Sequence, residues 1–153
     1  MKIEPLDDAR TGSWFAMRST LWPNCLAEDN ARDLEALKAQ PHLRAVFLAI
    51  DDRAEACGFV EARLRDVAES CDTSPVGYIE GIYILPEFRG QGAGRKLVAA
   101  AERWADALGC REMASDCLHD NEASVRFHQK IGYEVTEQLI HFRRVLTESP
   151  KPK

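Results

Sequence analysis

The chain has 153 residues, 45% of them hydrophobic, which is enough for one domain with a sizeable core and too little for two of ordinary size. Its 25 acidic residues outnumber 20 lysines and arginines, a net charge of -5 that disfavours the polyanion-coating mode of nucleic-acid binders and suits a cationic small molecule better. No apolar run approaches membrane-span length and no basic-then-apolar leader follows Met1, so a cytoplasmic protein without membrane contact is expected.

The first expected strand is Lys2 to Leu6. A helix should follow from Ala9 to Trp22, with Trp14, Met17, Arg18 and Leu21 along one side and Pro23 ending it. A second helix is expected from Glu28 to Gln40, carrying Ala31, Leu34 and Leu37 at steps of three, with Pro41 beyond its last turn. The apolar run Ala45 to Ile50, the polar turn Asp51-Asp-Arg53 and the run Cys57 to Arg65 read as a hairpin. Asp66 to Pro75 is turn-forming and acidic, hence a loop.

Tyr78 to Leu85 reads as the central strand and Arg95 to Leu108 as a helix stopped by Gly109, its stripe made of Leu97, Val98, Ala101, Trp104, Ala105 and Leu108. Trp104 is expected in the core. A fifth strand is expected from Cys110 to Cys117, a loop at His119 to Asn121, a short helix from Glu122 to Lys130 stopped by Gly132, and one long or two final strands within Tyr133 to Val145. Residues 147–153, with Pro150 and Pro152, read as a disordered tail after a domain spanning 1–146. Five cysteines without a Cys-x-x-Cys pair and four histidines without metal-ligand spacing give no reason to expect a metal or a disulfide.

Between central strand and helix stands Ile82-Tyr-Ile-Leu-Pro-Glu-Phe-Arg-Gly-Gln-Gly-Ala-Gly-Arg-Lys-Leu97. Gly90, Gly92 and Gly94 permit a turn whose backbone N–H groups converge on one anion, with the positive end of a helix facing the same spot. A Walker loop would need Lys then Ser or Thr after the last glycine, and the dinucleotide pattern would need a glycine at Arg95 or Leu97. A glycine-rich helix entry without a ligand is the plain alternative.

The remaining pattern, Arg89-x-x-Gly92-x-Gly94 after a strand, resembles the acetyl-CoA pyrophosphate loop of the GNAT superfamily of N-acetyltransferases. The mixed element order is similar to that fold over Lys2 to Leu146, which implies an α/β fold of mixed, α+β-like character: a central mixed twisted sheet with helices on both faces. The resemblance further implies that Ile82, Tyr83 and Ile84 hold the pantetheine arm while Gly90, Gln91, Gly92, Ala93, Gly94 and Arg95 hold the pyrophosphate. The segment Asn121 to Tyr133 resembles the family's second signature, whose asparagine bonds the cofactor arm. His128 stands where many members have a tyrosine assigned to protonate the departing thiolate. An imidazole can donate a proton, but a histidine that only packs fits the position as well.

An alkylammonium, with a pKa near about 10, needs help to lose its proton before it can attack. Glu80 is the best candidate, a carboxylate inside the apolar run Tyr78 to Tyr83. Strict alternation puts it on the face of Ile82 and Ile84, and Gly81 beside it suggests a bulge or a close backbone approach. Asp116 falls where the two central strands should separate, with turn capping as its plain alternative, and Glu137 reads on its own as a solvated carboxylate.

The combination Leu21-Trp22-Pro23, Cys71-Asp-Thr-Ser-Pro75, Glu80-Gly-Ile82, Gly109-Cys-Arg-Glu-Met-Ala-Ser-Asp116 and His128-Gln129 with Gly132 resembles a bacterial subgroup of aminoglycoside 6'-N-acetyltransferases. That resemblance implies an antibiotic site lined by Trp22, Glu80, Asp116 and Glu137, direct transfer without a covalent enzyme intermediate, and a homodimer to which the C-terminal strands contribute. Relatives in this subgroup can carry a tyrosine of the substrate site at the position of Val67, which here offers neither ring nor hydroxyl. The competing readings are the same fold acting on a polyamine, an amino-sugar metabolite or a protein N-terminus, and a non-catalytic acetyl-CoA-binding module.

Overall fold

The computed structural model describes residues 1–147 and divides into two compact units, Met1–Asp116 and Cys117–Lys153. The first holds a five-stranded sheet, β1 (Lys2–Pro5), β2 (Arg44–Ile50), β3 (Ala56–Arg65), β4 (Val76–Ile84) and β5 (Met113–Ser115), in that spatial order. The first three pairings are antiparallel and β4 with β5 is parallel, so the sheet is mixed, as expected.

Each face of this sheet buries a different helical layer. Helices α1 (Thr11–Leu21) and α2 (Ala27–Ala39) cover one face, where Trp14 and Met17 pack on Val46, Leu48, Ile50 and Phe59, with Leu34 and Leu37 at the margin. On the other side lies α3 (Ala93–Ala107), which buries Leu97, Val98, Ala101 and Ala105. A Cβ at Gly77 would stand 2.8 Å from that of Ala105, so the glycine lets helix and strand approach closely.

Expected boundaries agree with these elements to within a few residues. A 3-10 turn, Asp8–Arg10, precedes α1 and takes up the start of the expected first helix. The α2 stripe is shifted: Ala31 is exposed and Asn30 is buried in its place, because Asn30 accepts a hydrogen bond from the buried Arg18. Trp104 is only half buried and Leu108 is 38% exposed, so neither belongs to the α3 core.

Two strand expectations are overturned. The expected strand Cys110 to Cys117 contracts to the three residues of β5, because only those pair with β4. In the second unit α4 (Glu122–Lys130) is present, but no strand forms in the described residues after it. There, Val135, Leu139, Ile140, Phe142, Val145 and Leu146 are exposed, so the alternating pattern has no sheet partner among the described residues and no ladder there to stabilise it. The tail expectation falls on residues that, beyond Thr147, lie outside those described.

Candidate active site

A β-bulge creates the centre of the candidate site. The β3–β4 register runs Glu61 opposite Gly81 and then Ala62 opposite Ile79, which leaves Glu80 as the extra residue on β4. A bulge breaks the two-residue alternation beyond it. Glu80 is therefore not on the face of Ile82 and Ile84, as alternation predicts: it faces the α1–α2 side, where Arg65 donates Nε to its Oε1 at 3.0 Å and Nη2 to its Oε2 at 2.9 Å. Gly81 provides the expected close approach. A Cβ there would lie 2.5 Å from two atoms of the Trp22 indole, so the glycine lets the ring rest directly on the strand beside Glu80.

Trp22 closes α1, its N–H bonded to the Arg18 carbonyl at 2.7 Å. The Arg18 guanidinium lies 5.0 Å from both the Trp14 and Trp22 ring centroids. It is itself clamped by Glu61 and Asp33 at 2.5 Å each and by Asn30 at 2.9 Å. Burial lifts the Glu61 carboxyl to about 7, with Arg18 and the Trp14 indole N–H pulling the other way. Trp14, Arg18, Trp22, Glu61 and Glu80 line one cleft of about 270 Å³. A larger groove of about 380 Å³, lined by Leu34, Leu37, Val46 and Trp104, contains none of the expected site residues.

Asp116 follows β5 immediately, where the β4–β5 ladder ends at Ile79–Ser115. It accepts a 2.5 Å hydrogen bond from the Tyr78 hydroxyl. Burial and this bond push the Tyr78 phenol upward, so it stays protonated and donates. Arg65 stacks on the same tyrosine, 3.5 Å from its centroid. Val67 is 78% exposed on the loop between β3 and β4. That loop is clasped by Glu112, whose Oε1 accepts from Asp72 N, Thr73 N and Thr73 Oγ1 at 2.6–2.8 Å.

Beyond Ile79 the edge of β4 away from β3 has no strand partner among the described residues. Leu85 N–H bonds back to Cys57 on β3 at 2.9 Å, so alternation aims the backbone groups of Tyr83 at β3 and those of Ile82 and Ile84 at the open edge. The Ile84 carbonyl there accepts from Arg89 Nε at 2.9 Å. Gly90 and Gly92 both adopt left-handed φ, +77° and +84°, and nothing lies within 4 Å of a Cβ built on either. Gly92 caps α3, so Ala93, Gly94 and Arg95 form its first turn, at the positive end of the helix. This arrangement fits an extended arm with a pyrophosphate at its end: outward strand amides, then a glycine turn open at the Cβ positions of Gly90 and Gly92, then the N-terminal N–H groups of a helix.

In the second unit, Asn121 caps α4, its Oδ1 accepting from Ser124 N at 3.2 Å. His128 Nδ1 faces the Ser124 carbonyl at 2.8 Å, and a carbonyl only accepts, so Nδ1 carries the proton. Its ring meets those of Phe127 and Tyr133 edge-on. Glu137 is exposed in the segment after α4. The residues that sequence reasoning missed are Arg65, Tyr78, Glu61 and Glu112. The uninterrupted Glu61 to Arg65 run, with charges at every second position, was the available signal for the first and third.

Residues 14–133 match the model of the Acetyltransferase (GNAT) family, and the chain belongs to that family. It is similar to the Aminoglycoside N(6')-acetyltransferase type 1 of Salmonella typhimurium, 39% identical over 94% of this chain and 99% of the relative. The Acinetobacter baumannii protein of the same name is 36% identical over 94% and 98%. Among solved structures, AAC(6')-Iy in complex with the bisubstrate analog CoA-S-monomethyl-acetylneamine superposes with a TM-score of 0.89 at 37% identity, covering 94% of this chain and 97% of that one.

Proposed function

We propose that this protein transfers the acetyl group of acetyl-CoA to the 6'-amine of aminoglycosides and thereby confers resistance to them. The observation that carries this reading is the placing of a carboxylate, an indole plane and an open strand edge side by side: Trp22 rests on Gly81, which Glu80 and Ile82 flank, where β4 parts from β5. Aminoglycosides are polycations built on sugar rings, so carboxylates beside an aromatic face make a fitting receptor. Similarity to relatives named for this activity supports the substrate class.

Glu80 accepts the proton of the substrate ammonium through water, the freed amine attacks the acetyl carbonyl carbon, and the C–S bond breaks as the thiolate leaves. The Ile82 N–H on the open edge stabilises the developing oxyanion. Gly90, Gln91, Gly92, Ala93, Gly94 and Arg95 hold the pyrophosphate, and Ile82 and Ile84 pair with the pantetheine arm. Tyr83 contributes its ring rather than its backbone, packing on Phe59. Asp116 takes a second substrate cation. The family resemblance assigns Asn121 to the cofactor arm, Glu137 to the substrate and His128 to the proton that returns to sulfur. With Nδ1–H committed to a carbonyl, His128 donates from Nε2 only as the imidazolium.

We also infer a cytoplasmic homodimer. No helix among the described residues is long and apolar enough to cross a membrane. The exposed apolar residues after α4 form a strand-patterned segment that a second copy can pair with. The test is thiol release from acetyl-CoA with kanamycin-type aminoglycosides, polyamines and peptides as acceptors. Transfer is expected to the aminoglycosides and not to variants lacking the 6'-amine; acetylation of those variants contradicts the regiochemistry. Glu80→Gln is expected to lower kcat strongly and leave acetyl-CoA binding unchanged.

A further inference from the structure

We propose that Arg65 is a positioning residue of the amine site, a built-in cation that fixes the plane of Glu80 and, through Tyr78, the position of Asp116. The inference rests on the reading of Glu80 and Asp116 as the carboxylates that meet the substrate amine.

Four side chains form one continuous chain of contacts. Glu80 receives both arms of the Arg65 fork, 3.0 and 2.9 Å. The guanidinium carbon lies over the Tyr78 ring at 3.5 Å from its centroid, and the Tyr78 hydroxyl donates to Asp116 at 2.5 Å. A bulged residue needs such a hold. Glu80 has no opposite number in the register, so the ladder does not set its direction; the guanidinium does. The pair is only partly shielded, with Arg65 and Glu80 side chains 35% and 28% exposed, which leaves the carboxylate reachable by a ligand.

The geometry leaves Glu80 able to work. Each carboxylate oxygen has two lone-pair sites, and the fork uses one on each, so one site per oxygen remains for a substrate ammonium or a bridging water. Arg65 therefore fixes the carboxylate without consuming it. It also reduces two neighbouring negative charges, Glu80 and Asp116, to a net single one, while Tyr78 keeps them linked through a neutral donor. Lysine could supply the charge but not the planar, two-point grip or the stacking.

The experiment has a kinetic and a spectroscopic arm. In steady state with acetyl-CoA and a kanamycin-type aminoglycoside, Arg65→Gln is expected to lower kcat/KM for the aminoglycoside by about tenfold or more, with KM for acetyl-CoA unchanged within about twofold. Arg65→Lys, which keeps the charge and guards against loss of folding, should recover only part of the loss, and Tyr78→Phe should fall between Arg65→Gln and wild type. In ¹H–¹⁵N spectra of the free protein, the Arg65 Nε–H signal should exchange slowly with water, and Glu80→Gln should abolish that protection. The proposal is overturned if Arg65→Gln leaves kcat/KM unchanged, if Arg65→Lys equals wild type, if both KM values move together, or if the Nε–H is unprotected. Absence of transfer to any aminoglycoside by the wild type overturns the substrate reading instead, and the Nε–H signal alone then decides the role of Arg65.

Discussion

Glu61 and Gly81 face each other across β3 and β4, and each places a testable demand on the site. Gly81→Ala puts a methyl group 2.5 Å from the Trp22 indole, against a ring already packed on Phe59. The ring must move, so stability should fall by about 1–3 kcal/mol in chemical denaturation and KM for the aminoglycoside should rise with acetyl-CoA binding intact. Glu61 titrates at about 7 in the folded protein against 4.5 for an ordinary glutamate. A carboxyl raised on folding contributes stability that is fully present below the unfolded value and is lost as pH rises through the folded one. Between about pH 5 and about pH 8 the wild type should thus lose roughly 1–3 kcal/mol that Glu61→Gln does not lose, read from denaturation midpoints across that range. At this scale the sequence marked Glu80 by its setting inside an apolar strand run, whereas Trp22 and Asp116 became candidates through the family resemblance. Arg65 and Tyr78 were silent because their roles come from cross-strand partners, and Glu61 because only burial beside Arg18 distinguishes it from a surface carboxylate.

Among the elements, β4 carries most of the site, and the reason is its change of partners along its length. Its first half pairs on both sides and its second half on one, so a single strand is both a rigid core member and an open edge. The glycine turn that follows depends on backbone handedness: Gly92→Ala forces a left-handed alanine at the α3 cap and should cost about 1–2 kcal/mol. It should also weaken acetyl-CoA binding measured by titration calorimetry, since the same residue precedes the helix N–H groups. Strands and helices of the first unit were legible in hydrophobic period and in Gly and Pro punctuation. The face of Glu80 was not, because a one-residue bulge inverts alternation without leaving a mark other than Gly81. The length of β5 was not either, since pairing rather than composition ends it.

At the level of the whole molecule, the Arg89-x-x-Gly92-x-Gly94 loop after a strand, together with the mixed order of elements, carried the resemblance to the family that the chain belongs to. The segment from Tyr133 to Val145 reads as strand because its alternation is real, yet a strand needs a neighbour, and the described chain supplies none. Its exposed Ile140, at 81%, and Phe142, at 91%, should associate. Light scattering after size exclusion is expected to give a dimer for the wild type and a larger monomer fraction for Phe142→Asp.

The grip of Glu112 on the backbone of Asp72 and Thr73 bears on how the protein can change over time. Because the 66–75 segment is pinned on its β4 side by hydrogen bonds made to main chain, the exposed side chain at its β3 end is released from any duty to hold it. Position 67, standing in solvent, is free to exchange its valine for a ring, a hydroxyl or a charge without unsettling the scaffold. On the proposed reading of the neighbouring cleft, diversification of the substrates accepted can begin there.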